Sequence, residues 1–129
     1  MKSNKVTIAI AIMLAVVAGL LQLLAADGVD VDQAQRMSQQ GALLLDVREP
    51  QEYSAIHAPE AKLIPLGQVS SRLNEIEAYK DKPIVVICRS GRRSAQAVSI
   101  LQGAGYTQVS NVKGGMLAWE SNGLKVIRM

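Results

Sequence analysis

Two short apolar runs constrain this chain more than any other feature. Ala42 to Val47 (ALLLDV) and Pro83 to Cys88 (PIVVIC) are of strand length and show no polar alternation. A strand without a polar face must be covered on both sides, as in a parallel sheet with helices above and below it. The segments around these runs carry helical signals. Asp30 or Asp32 can cap a helix running towards Gln40, and Gly41 can end it. Pro50 suits the first turn of a short helix, PQEYSAI, which stops before Pro59. Gln68 to Tyr79 places Val69, Leu73 and Ile76 at spacings of four and three, predicting a helix with one apolar face. Ser94 to Ala104 does the same with Ala97, Val98, Leu101 and Ala104, and Gly105 closes it. Lys62 to Leu66 is a short extended piece, and Pro65 implies that it lies at an edge or ends early. Tyr106 to Val109 is predicted as a further strand, Gly114-Gly115 as a turn, Met116 to Ser121 as a short helix and Leu124 to Ile127 as a last strand. This alternation predicts an α/β domain on a small, mainly parallel sheet flanked by helices.

The N-terminus is different in kind. From Val6 to Ala26 there is no charge, and Thr7 and Gln22 are the only polar side chains. Lys2 and Lys5 precede this run, and no acid occurs before Asp27. A basic start followed by an apolar core reads as an export signal, and about 20 apolar residues would also span a bilayer as one apolar helix. Ala25-Ala26 offers a cleavage position, although Leu24 stands where an A-x-A-like site has a small residue. Two fates follow. A peptidase removes residues 1–26 as a signal peptide and frees 27–129, or the segment stays as an inner-membrane anchor with Lys2 and Lys5 cytoplasmic. Either places the domain, residues 27–129, in the periplasm or another extracytoplasmic space. The competing reading, a buried core helix of a cytoplasmic protein, lacks the polar face such a helix carries.

The formal net charge of +3 and sequence pI near 9.2 raise the question of nucleic acid or an anionic surface. Lys2 and Lys5 account for two of those three charges, leaving a nearly neutral domain, so no nucleic-acid partner is expected. Membrane association is expected only through residues 6–26. One Cys excludes an intrachain disulfide and a Cys-rich zinc site, and one His, His57, excludes a His-cluster metal site. No metal or cofactor is expected.

The chemistry is concentrated in Cys88-Arg89-Ser90-Gly91-Arg92-Arg93-Ser94, between a buried strand and a helix start. A tight loop there turns successive backbone N–H groups into a concave nest at the positive end of the helix dipole, which suits an anion. Gly91 supplies the backbone freedom, Ser94 can cap the helix or line the cradle, and three guanidinium groups add permanent charge. A thiolate at a helix N-terminus beside Arg is stabilised, so the Cys88 pKa should fall below about 8.5. An isolated buried Cys is commonly inert. The loop that follows Cys88 reverses that reading.

Asp46-Val47-Arg48-Glu49-Pro50-Gln51-Glu52-Tyr53, His57, Ile64-Pro65-Leu66, Val86 to Ser94 and Gly114-Gly115-Met116-Leu117-Ala118-Trp119 follow one another in an order that resembles the single-domain rhodaneses, the thiosulfate sulfurtransferase family. The resemblance covers about Asp30 to Gly123. It implies a small sheet wrapped by helices and a ping-pong reaction. Cys88 would take the outer sulfur of thiosulfate, release sulfite as a persulfide forms, and pass the sulfur to cyanide or a thiol. Substrate binding would fall to Arg89, Ser90, Gly91, Arg92, Arg93 and Ser94, with the N–H groups of residues 89 to 93 facing the terminal sulfur. Arg93 has a second option, a structural ion pair. The family's turn G-H-I-P-G-A reads here Ile56-His57-Ala58-Pro59-Glu60-Ala61, and the absence of both glycines places the usual turn geometry in question.

Two other functions use the same loop. A sulfane-sulfur carrier or redox-responsive binding module would load Cys88 without turnover. Phosphatases and arsenate reductases resemble C-x5-R, but the residue six beyond Cys88 is Ser94 and Arg93 lies at five. Asp46 and Arg48 could form an acid–base pair. A structural role suits them better, with Asp46 bonded to loop backbone and Arg48 paired with a carboxylate such as Glu52. Trp119 is expected to pack, and Tyr53 and Tyr106 to lie in the core or at its rim.

Overall fold

The computed structural model describes residues 4–14 and 28–129. In chain order the elements are α1 (residues 4–14), α2 (Val31–Gln39), β1 (Leu43–Asp46), α3 (Pro50–Ala55), β2 (Ile56–His57), β3 (Lys62–Leu63), β4 (Ile84–Ile87), α4 (Arg92–Gly103), β5 (Val109–Asn111), α5 (Gly115–Ser121) and β6 (Ile127–Arg128). The rest of the N-terminal apolar run, with the Ala25-Ala26 position, lies outside the described residues. Among the described residues no helix is long and apolar enough to cross a membrane.

β3, β1, β4 and β5 form a parallel sheet in that order. All eight residues of β1 and β4 are buried, as their lack of polar alternation requires. The pleat sends alternate residues to opposite layers. Leu43, Leu45 and Val47 join Ile84, Val86 and Cys88 against Ala97 and Leu101 of α4, together with Val69 and Ile76. Leu44, Val85 and Ile87 face Val31 and Ala34 of α2 and Met116 and Trp119 of α5. β3, followed by Pro65, is an edge strand as expected. β2 and β6 form a separate antiparallel pair, Ile56 opposite Arg128 and His57 opposite Ile127.

Local signals were decisive at two helix starts. Asp30 caps α2 by accepting from the Gln33 N–H at 2.8 Å, and α3 opens with Pro50 inside a Glu49–Glu52 capping box. The expected helix from Gln68 to Tyr79 is not continuous. Its place is taken by 3-10 turns at Leu66–Gln68, Leu73–Glu75 and Glu77–Tyr79. Val69 and Ile76 are buried, so the apolar spacing identified the correct core residues. Ser70, Ser71 and Asn74 nevertheless compete with a helical backbone, and Ser71 Oγ donates to the Gln68 carbonyl. β5 begins at Val109, where the expected strand ended. Tyr106 is instead buried under α4, its hydroxyl donating to Leu73 O, and the Thr107 N–H bonds to Lys80 O before the sheet is reached. α4 starts two residues before Ser94. The last strand is only Ile127–Arg128, because Leu124 and Val126 pack into the α2–α5 layer.

The turn from Ile56 to Ala61 closes without glycine. Glu60 takes φ 68, a left-handed conformation that costs a side-chain-bearing residue about 1–2 kcal/mol. Tyr53 supports the turn from below: its hydroxyl donates to Ala61 O at 2.6 Å, and its ring stacks on His57 at 3.9 Å.

Candidate active site

Cys88 comes immediately after β4, and the strand's alternation directs its side chain into the α4 layer. Gly91, at φ 106, turns the chain from strand end to helix start and occupies the N-cap of α4. Its N–H donates to Cys88 Sγ at 3.1 Å. Ser94 is therefore not the cap. It is the third residue of α4, fully buried, with Oγ 3.3 Å from Sγ.

The loop's peptide planes are set from outside by α5. The Met116 N–H bonds to Cys88 O at 2.8 Å and the Leu117 N–H to Arg89 O at 3.1 Å. With those carbonyls held towards α5, the loop's N–H groups are free to face the sulfur. Gly115 makes this approach feasible, since a Cβ there would collide with the Cys88 and Arg89 carbonyl oxygens. The Gly114-Gly115 pair is thus part of the support for the loop, which its reading as a simple turn did not reveal.

Burial raises the Cys88 pKa. The Ser94 hydroxyl and the backbone N–H groups of Ser94, Gly91 and Ser90 overcome it, and the thiol ionises below its ordinary value. The principal stabilisers of the thiolate are therefore hydrogen bonds, whereas the sequence pointed equally to the arginines.

The three arginines separate by role. Arg93 donates to both oxygens of Glu52, at 2.6 and 2.8 Å, joining α4 to α3 in a bidentate clasp. That clasp holds the Glu52 carboxyl at a pKa of about 2. Arg89 and Arg92 are exposed, and among the described residues they make no side-chain hydrogen bond or ion pair. They are the two guanidinium groups available to an incoming anion.

Glu52 is thus not the partner of Arg48. Arg48 pairs with Asp46, two residues away, through Nε and Nη2 at distances down to 2.8 Å. Its remaining donors reach the carbonyls of Glu52 and Ile56. Asp46 also accepts from the Arg48 backbone N–H at 3.0 Å, as the structural reading expected. His57 Nδ1 faces Tyr53 O at 2.8 Å, and Trp119 is buried with its indole donating to Lys125 O. Among the described residues no group of three His, Cys, Asp or Glu side chains could hold a metal ion.

One neighbour was invisible to sequence reasoning. Asn111, the last residue of β5, accepts from Ser94 Oγ at 2.5 Å and donates through Nδ2 to Gly91 O at 3.1 Å. The expected strand ended at Val109, and no local pattern marked Asn111 as part of the site.

Comparison with known proteins supplies the family. The model described as "Rhodanese-like domain" matches residues 30–122. A protein named "Sulfurtransferase" from Allochromatium vinosum is 40% identical over 85 residues, covering 66% of this chain and 78% of the relative. The "Thiosulfate sulfurtransferase GlpE" of Pseudomonas syringae is 36% identical over 90 residues, covering 70% of this chain and 83% of the relative. Among solved structures, a rhodanese-related protein from Thermoplasma volcanium superposes with a TM-score of 0.70 at 29% identity, covering 78% of this chain and 96% of that one. On this match in sequence and in fold, the chain belongs to the rhodanese-like family and has sulfurtransferases among its homologues.

Proposed function

We propose that this chain is a thiosulfate sulfurtransferase with Cys88 as its nucleophile. The observation that carries the reading is Cys88 Sγ held in a nest of N–H donors beside a hydroxyl, which favours the thiolate. In the first half-reaction the thiolate attacks the outer sulfur of thiosulfate. A new S–S bond forms to Cys88, the S–S bond of thiosulfate breaks, and its electron pair leaves on sulfite. The persulfide's terminal sulfur then carries the negative charge, and the N–H groups of residues 89 to 93 are its donors, with Ser90, Gly91 and Ser94 lining the cradle. Arg89 and Arg92 draw in the dianionic donor. In the second half-reaction cyanide or a thiolate attacks the terminal sulfur, and Cys88 leaves as the thiolate.

The test is thiosulfate:cyanide turnover by the full chain against Cys88→Ser. Thiocyanate formation that disappears in the variant supports the assignment, and equal rates in the two overturn it. Mass spectrometry after thiosulfate treatment separates a turnover enzyme from a carrier: one sulfur gained on Cys88 with negligible thiocyanate assigns the chain to the carrier class.

We also propose an extracytoplasmic site of action, on the strength of Lys2, Lys5 and the uncharged run from Val6 to Ala26. Sequencing the mature N-terminus in a fractionated host tests this. A start near Asp27 in the periplasm indicates cleavage, an intact N-terminus in the membrane fraction indicates an anchor, and a full-length cytosolic chain overturns export.

A further inference from the structure

Ser94 has one hydroxyl proton and two neighbours able to accept it. Its Oγ lies 2.5 Å from Asn111 Oδ1 and 3.3 Å from Cys88 Sγ. The orientation of Asn111 follows from its other contact. The Gly91 carbonyl can only accept, so the amide nitrogen faces it and the amide oxygen faces Ser94. An amide oxygen is an acceptor only, so the Ser94 proton lies on the path to Asn111. With Cys88 protonated, the contact at 3.3 Å is then S–H donating to Oγ, an arrangement that favours the neutral thiol. Ionisation reverses the requirement. The thiolate can only accept, and Ser94 can donate to it only by rotating its hydrogen away from Asn111.

We propose that Asn111 is a positioning residue: by claiming the single proton of Ser94 it opposes ionisation of Cys88, so that Ser94 turns to the sulfur only when the sulfur bears charge. The step is a simple one. Cys88–SH gives its proton to a base in solvent, the Ser94 O–H rotates to Sγ, and Asn111 Oδ1 gives up one hydrogen bond. During sulfur transfer the charge moves from Sγ to the persulfide's terminal sulfur, whereupon Ser94 returns to Asn111. Attack by the acceptor restores the thiolate and draws the proton back. This use in turnover rests on the proposed sulfur-transfer function, whereas the competition for the proton does not.

The charges around Cys88 come from several elements. Arg89 precedes α4 and Arg92 opens it, while Arg93 is held by Glu52 of α3. The Asp46–Arg48 pair closes β1, next to β4. Lys113 lies in the turn before α5, and the first residues of α5, Gly115 to Ala118, carry no charge. Neutral substitutions at Ser94 and Asn111 leave all of these charges in place.

The test is the pH titration of thiolate ultraviolet absorbance in the full chain. Cys88 is its single cysteine, and Cys88→Ser serves as the blank. Asn111→Ala should lower the midpoint, and Ser94→Ala should raise it, each by about one unit, the scale of one hydrogen bond gained or lost by the thiolate. In the Ser94→Ala background, Asn111→Ala should have no effect. A rise in the Asn111→Ala midpoint, no shift at all, or an equal shift with and without Ser94 would overturn the inference and leave Asn111 as a support for the Gly91 carbonyl alone. If the alanine variant loses the native circular dichroism, Asn111→Val, a residue suited to a strand, carries the same expectation. The titration needs no sulfur donor. A chain that fails to turn over thiosulfate yet shows the opposed shifts keeps this inference and loses only the assigned reaction.

Discussion

Asp46 and Cys88 stand at the carboxyl ends of neighbouring parallel strands, Asp46 closing β1 opposite Ile87 and Cys88 following β4 by one residue. Both are buried, at 0% and 1% exposure, and burial of either charged form requires donors. At β1 those donors come from one residue. Arg48 supplies Nε, Nη2 and its backbone N–H to Asp46, and also donates to the carbonyls of Glu52 and Ile56. The result is a closed ion pair that fastens α3 to the sheet. At β4 the donors are backbone N–H groups and one hydroxyl, and Arg89 and Arg92 stand outside with no side-chain partner among the described residues. The two strand ends thus differ in how a buried anion is held, by a dedicated cation at β1 and by hydrogen bonds at β4, and the second arrangement is the one the proposed reaction requires. Ligands of open parallel sheets gather at this carboxyl edge for the same reason of access.

Mutations at the two ends should therefore act on different quantities. Cys88→Ser should abolish turnover, a loss of at least about 10³-fold, while shifting stability by less than about 1 kcal/mol. Paired rate and urea-unfolding measurements check this, and a large loss of stability would show that β4 also ends in a fastening. Arg48→Ala should do the reverse. It leaves Asp46 buried without its partner, at a cost of about 3–5 kcal/mol in unfolding free energy. If that variant unfolds at the same urea concentration as the parent, the β1 end is not the closed pair described. Arg89→Ala and Arg92→Ala should each raise the KM for thiosulfate by about three- to ten-fold and weaken its salt dependence, leaving the unfolding midpoint unchanged.

The smallest effect belongs to the clasp that links the two ends. Glu52 has its pKa lowered from 4.5 to about 2 by Arg93, so its stabilisation is fully present above pH 4.5 and is lost as the pH falls through 2. Its side chain is 31% exposed, and after solvent screening the contribution is about 1 kcal/mol. Glu52→Gln keeps the capping-box geometry and removes the charge. Its unfolding free energy should be about 1 kcal/mol lower at neutral pH, with the gap closing towards pH 2. An unchanged gap across that window would assign the loss to packing instead.

Much of this molecule was legible in local patterns. β1 and β4 followed from apolar runs with no polar face, α2 from Asp30, α3 from Pro50, and the nest from a glycine three residues after a strand-end cysteine. The errors share a cause. Gln68 to Tyr79 has helical spacing of its apolar residues, but serine and asparagine side chains and the route back to β4 broke it into 3-10 turns. The fifth strand was placed too early because Tyr106 looks like a strand residue and is in fact drawn into the α4 layer. Arg48 pairs with a carboxylate as expected, but with Asp46 rather than the nearby example Glu52, because Arg93, distant in sequence, occupies Glu52.

What the sequence determined by itself was the set of groups that must be present: two fully buried parallel strands, one cysteine at the end of the second, and after it a glycine-containing segment with three arginines that leads into a helix. Those features depend on period, length and neighbouring residue types, all of which are local. Only the tertiary structure decided how the groups are shared. Arg93 meets Glu52 across 41 positions and Ser94 meets Asn111 across 17, leaving Arg89 and Arg92 without a partner among the described residues and Ser94 Oγ between Asn111 Oδ1 and Cys88 Sγ. Each donor and acceptor has a fixed capacity, and that capacity is taken up by whatever the fold brings within hydrogen-bond distance.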